Sequence, residues 1–277
     1  MSEQRVQLGG LPRPGPALKF VLGLVAAVAV LAAIVEHWWP GGETGKTIIF
    51  KFLMQPEEWV HQPWAFVTSG LVTAGLGHVV FSLIGLYFLS PDLEKAMGKW
   101  RFLRFLAMSV VLGNVLALAA DLAAPESVDI FHPRFMFGPG AAIAATAIAW
   151  SKANARMQIR FMFFLPMSGK MLYYATIGLC FLAIVFHSAV PEGVVAPFGG
   201  ILTGMFFAGN PSPARSAYLR LKLVFLRRQK HHISAASLLE DRPSKSKKKG
   251  GPELRVVLGG LEDKLKDQPP KDKRYLN

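Results

Sequence analysis

Residues 17–35, ALKFVLGLVAAVAVLAAIV, form an apolar run with Lys19 as its one charged side chain. A helix rises about 1.5 Å per residue and the hydrocarbon core of a bilayer is about 30 Å thick, so a run near 20 apolar residues matches a span. Similar runs continue to about Asn210, with few charges inside them. Over its 277 residues the chain is 52% hydrophobic and 18% charged, against roughly 25% charged in a soluble domain. Mean hydropathy is +0.33. The composition therefore implies an integral membrane protein and argues against a soluble globular one.

Working outward from that first run, the sequence predicts six helices. Helix one covers about Ala17–Val35, helix two Ala65–Leu89, helix three Phe102–Leu122, helix four Pro139–Trp150 or on to Ala155, helix five Lys170–His187 and helix six Val194–Ala208. Glu36-His37-Trp38-Trp39 follows the first run where a small-residue cleavage site would stand, so that run reads as a retained helix and not a removed signal peptide. Between helices one and two, Thr47–Met54 reads as interfacial, with Trp38, Trp39, Trp59 and Trp64 as aromatic anchors. Three regions result: a flexible cytoplasmic lead (1–16), a membrane domain (17–210) and a basic tail (211–277) in which Arg215–Lys230 has the mixture of a surface-lying helix.

Charge placement predicts orientation. Lys95, Lys99, Arg101 and Arg104 surround the start of helix three, and Lys152, Arg156, Arg160 and Lys170 lie between helices four and five. The alternate loops hold Lys46 and Lys51, then Arg134 alone, then none. The positive-inside rule thus expects a multi-pass protein with both termini cytoplasmic, in the plasma (inner) membrane if bacterial. The net charge of +13 comes mostly from the tail, with 17 Lys and Arg against 7 Asp and Glu after Pro211. Beside a last membrane helix, such a segment reads as meeting anionic lipid headgroups and not nucleic acid. Cys180 is the one cysteine, so no intramolecular disulfide can form.

Four local features occur in order. Gln62-Pro63-Trp64-Ala65 leads into helix two, which contains Gly77-His78-Val79-Val80-Phe81-Ser82. Leu93-Glu94-Lys95-Ala96-Met97-Gly98 follows that helix. Phe137-Gly138-Pro139-Gly140 opens helix four, and Ala196-Pro197-Phe198-Gly199-Gly200-Ile201-Leu202-Thr203-Gly204 lies in helix six. Together, over about residues 18–210, these resemble the rhomboid family of intramembrane serine proteases.

The resemblance implies an all-α, six-transmembrane-helix bundle and a set of corresponding positions. His78 stands at the family's helix-two histidine and Ser82 at its asparagine, one helical turn on and on the same face. Trp64 matches the Trp of a Trp-Arg pair whose arginine is here Ala65; Glu94 and Gly98 match the pattern after helix two. Gly200 and Gly204 keep the small-residue packing face of helix six. The nucleophile position, however, is Gly140 if Gly138 leads the motif, or Pro139 if Phe137 does, and the base position is Pro197. Triad-like chemistry needs a nucleophile and a base within hydrogen-bond reach, and neither residue type supplies one.

The expected function is therefore a rhomboid-like pseudoprotease that binds transmembrane client proteins without cleaving them, needing no cofactor or metal. The alternative is an active serine endopeptidase using other residues, with Ser151, Ser168 and Ser188, and His61, His132 and His187, as candidates. Glu126, Asp129 and His132 share one loop at metal-ligand spacing, but such loop polars are ordinarily solvated.

Overall fold

The apolar run quoted first becomes α1 (Pro16–His37), with Pro16 in its first turn where the missing N–H costs nothing. A short α2 (Gly42–Phe50) and an irregular stretch lead to α3 (Ala65–Thr68), which tightens into a 3-10 turn over Ser69–Leu71. Then come α4 (Gly75–Leu89), α5 (Pro91–Met97), α6 (Lys99–Ala123) and a 3-10 turn at Asp129–Phe131. Next are α7 (Gly140–Ala153), an antiparallel hairpin of β1 (Gln158–Phe161) and β2 (Leu165–Ser168), α8 (Gly169–Val185), α9 (Ala196–Phe207) and α10 (Pro213–Lys230). Gln158 lies opposite Ser168 in the hairpin.

These elements come from a computed structural model that describes residues 13–38, 42–161, 165–188, 190–209 and 212–230. Trp39, the first twelve residues and the basic run from 231 onward lie outside the described residues. The chain divides into two compact units, residues 1–223 and 224–277; the described part of the second is the end of α10.

At the centre of the first unit is α7, with ten of its 14 residues buried. It packs against α4, α6, α8 and α9. At about 21 Å it is too short to cross the hydrocarbon core unaided. Alanines on α7 and glycines on α9 let the two helices meet closely. A Cβ at Gly200 would run into the Ala141 carbonyl, and one at Gly204 would lie 2.6 Å from the Ala145 carbonyl. On the other side of α9, Gly199 faces Gly113 of α6 in the same way. Phe102, Leu18 and Leu86 fill the space where α1, α4 and α6 meet.

Among the described residues, α1 and α6 are each long and apolar enough to cross a membrane, and the α3–α4 pair adds a third if counted as one span. Phe20, Leu31, Leu179, Phe181 and Val185 are exposed, as lipid-facing side chains would be.

One expectation needs correction. The predicted helix two is not continuous, because the chain turns by 96° between its halves. Val72 and Ala74 are extended and Gly75 takes φ +68°, a value that suits glycine. Asn114 of α6 donates to the Phe66 carbonyl (2.9 Å) and the Ser69 hydroxyl (2.8 Å), supplying partners on the upstream side of the break. Within Thr47–Met54, Ile48, Phe50 and Phe52 are exposed while Leu53 and Met54 are buried, and Met54 exchanges backbone hydrogen bonds with Met136. Trp38, Trp59 and Trp64 are exposed.

Candidate functional site

The turn that opens α7 is fixed by backbone contacts on both sides. Phe137 N–H donates to the Pro191 carbonyl (2.9 Å) and Gly138 N–H to the Ser69 carbonyl (2.9 Å). Gly138 has φ +131°, where a side chain would be strained. Pro139 caps α7, its carbonyl accepting from Ile143 N–H at 2.9 Å. Gly140 is the first helical residue, so its N–H has no partner within the helix.

That N–H donates to Glu192 Oε1 at 3.1 Å. The same oxygen lies 3.0 Å from His78 Nε2. Ala74 N–H donates to His78 Nδ1 at 3.0 Å, so Nδ1 acts as acceptor and the proton facing Glu192 sits on Nε2. Glu192 and His78 side chains are 7% and 16% exposed, so the pair is largely shielded. The α7 N-terminus adds its positive dipole end to the two donors, which suits a carboxylate there. Four residues after His78, Ser82 is buried with its hydroxyl unpartnered among the described residues.

Of the positions singled out in sequence, Gly138, Pro139, Gly140 and His78 meet around Glu192. Gly200 lies one residue further on, against Ala141. Pro197 falls in the first turn of α9 and is half-buried. Glu94 and Gly98 are elsewhere. Trp150, near the C-terminal end of α7, donates to Asp92 of α5, which places α5 at the opposite end of α7 from Gly140. There Glu94 accepts from Ala17 and Leu18 N–H at 2.8 and 3.1 Å and caps α1, while Gly98 takes φ +78° between α5 and α6. Trp64 is exposed and its indole N–H donates to the Lys51 carbonyl at 2.9 Å.

The alternative catalytic candidates do not assemble. Ser151 is buried, its hydroxyl without a hydrogen-bond partner among the described residues, and the Ser168 hydroxyl caps α8 by accepting from Met171 N–H. His187 (φ +48°) and Ser188 line a cavity of about 560 Å³ beside the turn that carries Glu192. Among the described residues none of these serines hydrogen-bonds a histidine. His132 instead faces the Asp121 carboxylate (3.1 Å) and the Pro125 carbonyl (3.2 Å). Both partners are acceptors, so the imidazole gains by holding two protons; the Pro125 carbonyl first, then Asp121, raises its pKa. Glu126 and Asp129 do not join it, and no group of three His, Cys, Asp or Glu is positioned for a metal among the described residues.

Glu192 was the residue that motif reading missed. A signal for it exists: it is the one Asp, Glu, Lys or Arg between Lys170 and Arg215. A lone carboxylate in so apolar a stretch needs a partner.

The family model of the Rhomboid domain matches residues 60–210. A curated protein of Bacillus subtilis (strain 168), named "Putative rhomboid protease YdcA", is 29% identical over 103 residues, covering 36% of this chain and 48% of that protein. The chain thus spans about half the length of this curated relative.

Proposed function

This chain belongs to the rhomboid family of membrane proteins, and we propose that it is a non-cleaving member, a pseudoprotease that recognises other transmembrane proteins. The observation that carries this reading is the occupant of the α7 N-terminus. The nucleophile position is Gly140, without a side chain, and its N–H is taken by Glu192. The alternative register puts Pro139 there, and the base position is Pro197; none of the three can accept a proton or attack a carbonyl. Meanwhile the helix packing through Gly200 and Gly204 is intact. The fold is kept where the chemistry is not.

On this reading the bundle has six spans with both termini cytoplasmic, and a client helix docks at its side near α4 and α8. There, polar or helix-destabilising residues of the client find partners that lipid cannot offer. The short α7 would thin the bilayer around that side. The basic α10 and the tail beyond it rest on anionic lipid headgroups.

The test is co-purification from membranes after cross-linking, with a scrambled-loop variant as control. The expected result is capture of transmembrane clients in uncleaved form. Recovery of none above the control sinks the client-binding reading. Cleavage of a transmembrane substrate in liposomes, or labelling by a serine-directed fluorophosphonate, would favour an active endopeptidase instead.

A further inference from the structure

We propose that Glu192 is the chain's own ligand for the anion hole at the start of α7, and that its carboxylate keeps a peptide carbonyl out of that hole. The hole consists of two donors converging on one point, the Gly140 N–H and the His78 Nε2–H, at 3.1 and 3.0 Å from a single oxygen. A developing oxyanion is stabilised by donors arranged in this way. Here a side-chain carboxyl oxygen already sits on them.

Three features indicate a built seat and not a chance contact. First, the turn bearing Glu192 is pinned. Pro191 accepts from Phe137 N–H at 2.9 Å, and Gly193 closes the turn at φ +76° with its N–H on the Val190 carbonyl. Second, the seat is shaped by missing side chains, because a Cβ at either Gly138 or Gly140 would approach Glu192 Oε1 to 2.6 Å. The space a nucleophilic side chain would need at 140 is the space the carboxylate uses. Third, a shielded carboxylate in an apolar stretch is costly unless paired, and these donors are what make it tolerable. The His78 tautomer, set by Ala74, aims the second donor.

This inference uses the rhomboid register of His78 and Gly140 but not the client-binding reading, so failure of client capture leaves it standing. It is tested on the full chain in lipid nanodiscs with Glu192→Ala, Glu192→Gln and the native protein. One readout is the thermal midpoint with sodium formate against sodium chloride of equal ionic strength. The other is the rate of His78 acylation by diethyl pyrocarbonate, followed by mass spectrometry. Emptying the seat should lower the midpoint of Glu192→Ala, and formate should restore several degrees of it while leaving the native protein unmoved. His78 should react several-fold faster in Glu192→Ala and slow again with formate.

Should Glu192→Ala not fold, Gly140→Ala expels the carboxylate sterically, and Glu192→Gln keeps the shape while removing the charge. Both should speed His78 acylation. Equal midpoints for Glu192→Ala and native protein, formate acting equally on both, or unchanged His78 reactivity in the variants that fold would each overturn the proposal.

Discussion

Glu94 should matter to stability far more than its place in a short connecting helix suggests. Gly15 stands at the N-cap of α1 and has no side chain to offer, and Pro16 has no N–H. The next two N–H groups, of Ala17 and Leu18, are taken instead by the two oxygens of Glu94, from α5, at 2.8 and 3.1 Å. Glu94 is 5% exposed and Leu18 is fully buried, so water is poorly placed to substitute. A hydrogen bond to a charged group contributes about 1.5–3 kcal/mol, and an N-cap about 1 kcal/mol. Two bonds on one carboxylate do not add fully, so Glu94→Ala should cost about 2–4 kcal/mol. Glu94→Gln, which keeps one acceptor but turns an amide against the other N–H, should cost about 1–2 kcal/mol. Unfolding in mixed micelles of rising SDS fraction, followed by far-UV circular dichroism, measures both. A second substitution sharpens the test, because a Cβ at Gly15 would collide with the Glu94 carboxyl group. Gly15→Ala should therefore be damaging in the native chain and much less so in Glu94→Ala. A loss below about 0.5 kcal/mol for Glu94→Ala, or full additivity with Gly15→Ala, would refute the capping argument.

Gly200→Ala should destabilise by about 1–3 kcal/mol or more in the same assay, since its Cβ meets the Ala141 backbone. Gly178→Ala, with nothing within 4 Å, should instead be neutral or stabilise by about 0.5–1 kcal/mol. The raised pKa of His132 makes its pair with Asp121 fully stabilising below about pH 6.5 and progressively less so as pH climbs through the folded value. Unfolding midpoints taken at rising pH should show that decline in the native chain and a flatter profile in His132→Gln. Gly140→Ser with Pro197→His should fail to cleave a transmembrane substrate, because the serine Cβ would lie 2.6 Å from Glu192 Oε1. Adding Glu192→Ala should allow cleavage, and activity in the double variant alone would show that Glu192 is not in the way.

Apolar runs located α1, α6, α8 and α9 to within a few residues because each is a stretch almost free of charged side chains between polar, Gly or Pro residues, and α1 and α6 are long enough to cross a bilayer. They could not show the break after Leu71, since Ala65–Leu89 holds no Asp, Glu, Lys, Arg or Pro and the turn depends on a partner, Asn114, 45 residues from Ser69. Two short helices escaped for the opposite reason. In α2 the apolar residues are few, and in α5 the first turn carries Asp92 and Glu94 after Ser90-Pro91, a start signal visible only once a seven-residue helix is considered. At the site, motif order located His78, Gly138, Gly140 and Gly200. Glu192 belongs to none of those motifs, and its role depends on a turn that folds back across 52 residues to reach Gly140.

The departures from a catalytic pattern are cheap for the fold in different ways. A proline at the cap of α7 or in the first turn of α9 removes an N–H that no helical carbonyl was waiting for. Gly140 is different, because its own N–H and the His78 Nε2–H are shielded donors that converge on one point and need an acceptor there. Buried donors without acceptors are destabilising by about 1–3 kcal/mol each. Glu192 answers both donors here. A carboxylate satisfies both donors at once and gains from the α7 dipole, whereas a water could leave and a neutral side chain would bind more weakly. The presence of a glutamate in a loop otherwise free of Asp, Glu, Lys and Arg thus has a physical cause, the need of the α7 N-terminus and the His78 ring to be answered.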